Sequence, residues 1–305
     1  MTRALPVWRS MLYVPVNVTR FVAGAAERGA DAIILDLEDA VAPAEKERAR
    51  TLLAEAVPLV SRRGADVVVR VNRPWRLLVR DLEAAVIPGV AALALPKTDS
   101  AEHVQAVAET VAELEAERGV TEPVGLIAMV ETPGAFFRME AIARAHPRLV
   151  ALTVGAEDLA LSVGMLPEAE GLFLPKQLSI FAARAAGILP LGFVGTVADY
   201  KDPTAFRAVV RRSRRLGFLG AACVHPAQVP VLNEEFTPSA EDVERAGRMV
   251  AAYDAALAAG MGAVAFEGKM IDVPVVERAK ALLARAAAIA NPFPRPPPAR
   301  GEGEG

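Results

Sequence analysis

The sequence predicts an α/β fold, a (β/α)8 TIM barrel with a C-terminal helical extension. Eight short apolar runs alternate with longer helical patterns over residues 8–235. The runs are apolar at consecutive positions, as in parallel strands covered by helices on one face and packed on the other. At 305 residues the chain also exceeds the roughly 250 residues of a closed eight-fold barrel. No Gly-x-Gly-x-x-Gly follows the first run and no Walker lysine motif occurs, so nothing favours an open dinucleotide-binding sheet.

The strands are expected at 10–16 (SMLYVPV), 32–38 (AIILDLE), 66–72 (DVVVRVN), 89–97 (GVAALALPK), 124–132 (VGLIAMVET), 149–156 (LVALTVGA), 190–198 (PLGFVGTVA) and 221–226 (AACVHP). Between them, 44–63 and 101–118 read as helices; in the second, Val104, Val107, Val111 and Leu114 recur at helical spacing. Beyond the barrel, residues 236–290 form an expected helical lid segment. Thr237 is expected as an N-cap with Pro238 at the first helical position, opening a helix that runs to about Ala259. Gly260 and Gly262 end it, a turn "FEGKMIDVP" follows, and a last helix covers 274–290. The Pro/Gly-rich tail, 291–305, is expected to be disordered.

The net charge of −3 leaves no basic footprint for nucleic acid or a membrane surface. One cysteine, Cys223, excludes an intrachain disulfide, fits a reducing compartment and reads as a small buried hydrophobe. Pro6 and Arg9 interrupt any apolar core of a signal peptide. No apolar run approaches the roughly 20 residues of a membrane helix, so a soluble cytoplasmic protein is expected. His103, His146 and His225 do not pair at zinc-ligand spacing. His103 and His146 are expected on the surface. No Gly-x-Ser-x-Gly elbow or Cys–His pair points to a covalent nucleophile.

Polar residues gather at the strand ends. The second strand runs into Asp36, Glu38 and Asp39, the third into Arg70 and Asn72, the fourth into Lys97. The fifth ends in Glu131, the sixth in Glu157 and Asp158, the eighth in His225. In a parallel barrel these C-terminal ends form the active-site face. Any one carboxylate there reads equally well as a solvated loop residue or helix cap, and Asp39 in particular has both readings. Agreement over six strand ends is the signal. Glu131 and Asp158 lie on adjacent strands, and two carboxylates that leave room for water and substrate suit Mg²⁺.

The stretches "RSMLYVP" (9–15), "ILDLEDAV" (34–41), "VRVN" (69–72), "LPK" (95–97), "AMVETPGA" (128–135), "VGAEDLA" (154–160), "LGFLGAACVHPAQV" (216–229) and "GKMIDVP" (268–274) occur in that order. Together they resemble the citrate lyase β-subunit-like family, which includes malyl-CoA and citramalyl-CoA lyases and belongs with the HpcH/HpaI aldolases. The resemblance implies a Mg²⁺-dependent carbon–carbon lyase, with Mn²⁺ as a substitute, that cleaves a 3-hydroxyacyl thioester to acetyl-CoA and a 2-oxo acid. It implies Glu131 and Asp158 as metal ligands and Arg70 as the cation near the thioester or oxo-acid oxygen. Backbone amides of Ala156, Glu157 and Asp158 hold the oxo-acid carboxylate, and Tyr13, Arg20, Val224 and His225 line the CoA path. Asp272 is the acid/base, donated by a neighbouring subunit of a homo-oligomer, trimer or hexamer. Asp36 and Glu38, with Asp39, support catalysis by holding metal waters and orienting Arg70 or Lys97. The chain departs from the pattern twice. Gly24 stands where some relatives carry a second base for the CoA phosphates, and the start of 171–191 lacks their aromatic-Ala-Arg. Three other readings stay open: a citrate lyase β subunit acting on an acyl-carrier-protein thioester, a hydroxy-oxo-acid aldolase using no thioester, and a non-catalytic barrel that binds a partner.

Overall fold

The structure, a computed structural model, describes residues 5–196 and 202–291. Eight parallel strands form the barrel: β1 Ser10–Pro15, β2 Ala32–Asp36, β3 Asp66–Arg70, β4 Val90–Leu95, β5 Gly125–Val130, β6 Leu149–Val154, β7 Leu189–Leu191 and β8 Ala221–Cys223. β1 pairs with both β2 and β8. The seam between β7 and β8 is narrow, a bridge from Leu191 to Gly220 with the Gly192 N–H donating to the Gly220 carbonyl at 2.8 Å. Gly220 is required there, since a Cβ would lie 1.6 Å from the Trp8 carbonyl oxygen.

The two-residue period of the strands sorts the core. Met11, Ile34, Val68, Ala94, Ile127 and Met129 pack together inside the barrel. Their neighbours Leu12, Ile33, Val67, Leu93 and Leu126 join the larger cluster beneath the helices. Both faces of each strand are therefore apolar, and the sequence shows runs rather than alternation.

The strands stop before the expected polar residues. β2 ends at Asp36, whose carboxylate accepts the backbone N–H groups of Glu38 and Ala40 and turns the chain out of the ladder. The expected helix 44–63 is broken into Pro43–Glu45, Lys46–Thr51 and Leu53–Ser61. At the break, the Leu52 N–H bonds back only three residues to Ala49, which tightens the turn. The helix Ala101–Arg118 forms as expected, capped by Ser100, which accepts the His103 N–H, and closed by Gly119 at φ 64°.

His103 is not on the surface. Its side chain is buried edge-on against Trp75, at a centroid distance of 5.4 Å, and Asp99 Oδ1 lies 3.6 Å from Nδ1. Burial, with help from Arg73, pushes its pKa down to about 4. The unfolded chain takes up this proton near the ordinary value of 6.5. Stability from this group is therefore complete above pH 6.5 and is lost as pH falls toward 4, by an amount on the order of 3 kcal/mol. His103→Phe, which keeps the ring contact, should flatten that part of the acid limb. Urea unfolding at pH 7 and pH 4.5 checks it: equal losses in the two proteins contradict the assignment.

The described residues form two compact units, the second beginning at Thr237. Its first helix is Ala240–Ala258, and the N-cap is Ser239, not Thr237: Ser239 Oγ accepts the Asp242 N–H at 3.0 Å. The expected turn contains a hairpin, β9 Val264–Phe266 and β10 Lys269–Ile271, reversed at Glu267 and Gly268 with φ of 48° and 76°. Strands this short carry little periodicity, which is why the sequence showed only the turn. The last helix is Val273–Ala290, and the unit packs around Met249, Tyr253, Ile271 and Val276. The expected tail past Asn291, and residues 197–198 of the expected seventh strand, lie outside the described residues. Among the described residues no helix is long and apolar enough to cross a membrane.

Candidate active site

A cavity of about 820 Å³ opens at the C-terminal ends of the strands, within the usual range for small-molecule sites. Tyr13, Asp36, Arg70, Glu131, Ala156, Glu157, Asp158, Val224 and His225 line it, joined by Arg20 and Asp39. The barrel thus brings together strand-end residues up to about two hundred positions apart in sequence. Glu38 stands just behind Arg70 and Lys97. Asp272 belongs to the second unit.

Arg70 is fixed from several sides. Nε and Nη2 donate to the two oxygens of Asp36 at 2.8 and 2.7 Å, Nη1 lies 2.8 Å from Glu38 Oε2, and Asp39 is 3.6 Å away. The bidentate pairing exploits the planar guanidinium. Tyr13 lies against the same group, its ring centroid 4.7 Å from Cζ, and burial pushes its phenol well above the ordinary range. Asp36 is fully occupied by this partner and by the turn, so its part is to hold Arg70. Asp39 is largely exposed and caps no helix: the following turn has Ala42 at its N-cap.

Glu131 is 2% exposed, and burial next to Asp158 pushes its pKa up to about 8. Its Oε2 accepts the Lys97 backbone N–H at 2.8 Å, a bond that Lys97 offers from a left-handed conformation, φ 48°. The Lys97 ammonium lies 2.8 Å from Glu38 Oε1, 3.2 Å from Asp158 Oδ1 and 4.0 Å from Glu131 Oε2. Carboxylates so placed call for positive charge. Among the described residues no three His, Cys, Asp or Glu side chains converge as a complete metal cage. Two carboxylates with the cavity beside them fit an ion that keeps waters and accepts substrate oxygens, as Mg²⁺ does.

Sequence reasoning passed over Gly155. A Cβ there would lie 2.4 Å from Glu131 Oε1 and 2.6 Å from its Cγ. Gly155→Ala should therefore displace a buried carboxylate and weaken Mg²⁺ binding by roughly tenfold or more. Calorimetric titration of both proteins measures this, and an unchanged affinity contradicts the packing argument. Lys176 was passed over as well. Its signal was present: Leu172, Lys176, Ser179 and Ala183 follow the i, i+4, i+7, i+11 spacing of one buried helix face. Arg28 is a third cavity residue outside the expected set. Its guanidinium lies near Gly24, where a Cβ would be 3.6 Å from Arg28 Nη2.

Near the mouth, Gln228 accepts the N–H groups of Val224 and His225, and His225 Nδ1 accepts the Ala227 N–H at 3.2 Å. This turn opens the helix Gln228–Glu235. Cys223, the residue before it, is buried, and burial pushes its thiol up to about 12.

Comparison with known proteins gives a consistent picture. A family profile described as HpcH/HpaI aldolase/citrate lyase matches residues 9–226. The citrate lyase subunit beta of Escherichia coli K12 is 36% identical over 285 residues, covering 91% of this chain and 93% of that protein. An L-malyl-CoA/beta-methylmalyl-CoA lyase of Cereibacter sphaeroides is 34% identical, covering 91% and 94%. Among solved structures, the CitE protein of Mycobacterium tuberculosis in complex with magnesium, acetoacetate and coenzyme A superposes with a TM-score of 0.74 at 33% identity, covering 94% of this chain and all of that one.

Proposed function

Because this chain belongs to the HpcH/HpaI aldolase/citrate lyase family, we propose that it is a Mg²⁺-dependent lyase. It cleaves the carbon–carbon bond of a 3-hydroxyacyl-CoA, of the malyl, citramalyl or citryl type, to acetyl-CoA and a 2-oxo acid. The observation that carries the reading is the pairing, in one barrel mouth, of the Glu131–Asp158 carboxylates with a rigidly oriented Arg70.

Glu131 and Asp158 would hold the metal, which when bound supplies Lewis acidity at the hydroxyl that becomes the oxo group. Breaking the bond places negative charge on the thioester carbonyl oxygen. Arg70, already pinned by Asp36 and Glu38, needs little reorganisation to stabilise that charge, worth about 3 kcal/mol for a well-placed donor. The helix Ala156–Val163 begins at Gly155 with no side-chain cap, so its first N–H groups are free for the oxo-acid carboxylate. Asp272 is exposed, and its carboxylate makes no cap bond to the helix it precedes. That leaves it available to protonate the enolate carbon, while the hydroxyl proton passes to solvent as the oxo group forms and solvent reprotonates the acid; we assign Asp272 this role at a neighbouring subunit's site in a homo-oligomer.

Free CoA is favoured over an acyl-carrier-protein thioester. Arg28 occupies the region over Gly24 and lines the cavity with Arg20, which restores two bases for CoA phosphates. A single buried thiol fits work in the reducing cytoplasm.

Deuterium exchange tests the enolate chemistry. Acetyl-CoA incubated with the protein, Mg²⁺ and a 2-oxo acid in D₂O should lose its methyl proton signals, and chelation should stop the loss. No exchange above the protein-free rate contradicts the reading. A mixing experiment tests the assembly. Asp272→Asn and Arg70→Ala chains, each inactive, should regain part of the activity in co-refolded mixed oligomers. If mixed oligomers form and stay inactive, Asp272 does not act across the interface.

A further inference from the structure

Lys176 is 5% exposed, lies on the helix Ala169–Ala186 and reaches the cavity wall. Its ammonium donates to the carbonyls of Phe193 and Gly195 at 2.6 and 3.0 Å and lies 5.3 Å from the Phe193 ring centroid. These residues follow β7 directly. Their segment is also tied from the other side, where the Val194 N–H donates to Ser213 Oγ at 2.9 Å and Phe193 meets Phe206 edge-on. The segment leads to Thr196, whose hydroxyl donates to Glu157 Oε1. Glu157 sits in the first turn of the helix Ala156–Val163, beside Asp158. β7 neighbours β6 in the barrel, so the whole chain of contacts spans one adjacent pair of strand ends.

A short helix start that must present free amides and a carboxylate toward a ligand has no side-chain cap of its own to hold it. The contacts through Thr196 supply an external hold. A lysine at this place carries a cost: burial pushes its pKa down to about 7, partly offset by Glu157. An apolar side chain of similar length would fill the space without that cost. It would leave the two carbonyls without their donor and the segment after β7 without its tie.

We propose that Lys176 is a positioning residue for the oxo-acid half of the substrate: by tying the segment after β7 to the helix Ala169–Ala186, it holds Thr196 against Glu157 and so fixes the helix start that carries Asp158. The inference rests on the lyase reading of this site. It predicts a specific pattern. The half of the cavity that receives the oxo acid depends on Lys176, and the half that receives CoA does not.

The test is calorimetry on the full chain with Mg²⁺ present. Glyoxylate, pyruvate and oxaloacetate are titrated into the wild type, and the tightest of the three is carried forward, with CoA as the second probe. Lys176→Met and Thr196→Val should each weaken the oxo acid about tenfold, the scale of a small misplacement. CoA affinity should stay within about twofold, a surface term remote from the change. The double variant should lose no more than the weaker single variant, because both changes cut one chain of contacts. Thr196→Ser, which keeps the hydroxyl, should restore wild-type affinity. Multiplying losses in the double variant, equal losses for oxo acid and CoA, or an unaffected oxo acid each overturn the proposal. If Lys176→Met does not fold, Thr196→Val alone decides, since wild-type oxo-acid affinity in that variant breaks the chain. A wild type that binds none of the three oxo acids overturns the lyase reading, and this inference with it; selective failure in the variants overturns the inference alone.

Discussion

Glu131→Gln and Asp158→Asn should each abolish turnover while leaving the fold intact. Both residues lie at the barrel mouth, beyond the ends of β5 and β6, so neither supports the strand ladder. Glu131 bears a burial cost as an anion, visible in its raised pKa, so the neutral amide would remove that cost together with the proposed metal ligand. Loss of one anionic oxygen ligand forfeits several kcal/mol of charge stabilisation, roughly a thousandfold in rate or more. Mg²⁺ affinity should fall in parallel, read by calorimetry with an oxo acid present, while the thermal midpoint stays within a few degrees or rises for Glu131→Gln. Unchanged Mg²⁺ affinity in both variants would remove these two residues from the metal site.

Arg70→Lys should cost about a hundredfold in kcat or more. Lysine keeps the charge, but one ammonium cannot reproduce the paired bonds from Nε and Nη2 to Asp36 together with the contact from Nη1 to Glu38. Asp36 is 1% exposed, so a poorer partner also leaves a buried carboxylate short of compensation, and stability should drop measurably. The two effects separate in kinetics. A kcat within about threefold of wild type, with lowered stability, would make Arg70 a structural partner of the acidic cluster and nothing more.

Much of this was legible in the sequence because the barrel repeats one rule. Apolar runs such as Val67-Val68-Val69 and Leu93-Ala94-Leu95 leave no polar face, which requires cover on both sides, and eight of them require closure. The polar residue that ends six of the eight runs then points to the mouth, and Arg70, Glu131 and Asp158, read in this way, do line it. Strand ends were less legible. The local contact that stops β2, Asp36 accepting its own following N–H groups, depends on where a side chain turns. His103 looked like a surface helix residue because its cover, Trp75, comes from another helix. Gly155 and Lys176 were missed for a related reason. One matters for the atom it lacks beside Glu131, the other for the carbonyls it reaches seventeen and nineteen residues away. Neither fact is present in local pattern. Arg28 was not legible beside Gly24: its guanidinium comes near that position, 3.6 Å from where a Cβ would lie, only because the chain turns one helical turn further on.

The most direct test of the central claim is product analysis of CoA-thioester turnover. Malyl-, citramalyl- and citryl-CoA are each incubated with the purified protein, with Mg²⁺ or with a chelator, and the products separated by chromatography. The account predicts that one of the three yields acetyl-CoA and its 2-oxo acid in equal amounts, only when Mg²⁺ is present. Free CoA and the intact hydroxy acid, formed by hydrolysis of the thioester with the carbon–carbon bond unbroken, would contradict it, and so would no reaction with any of the three.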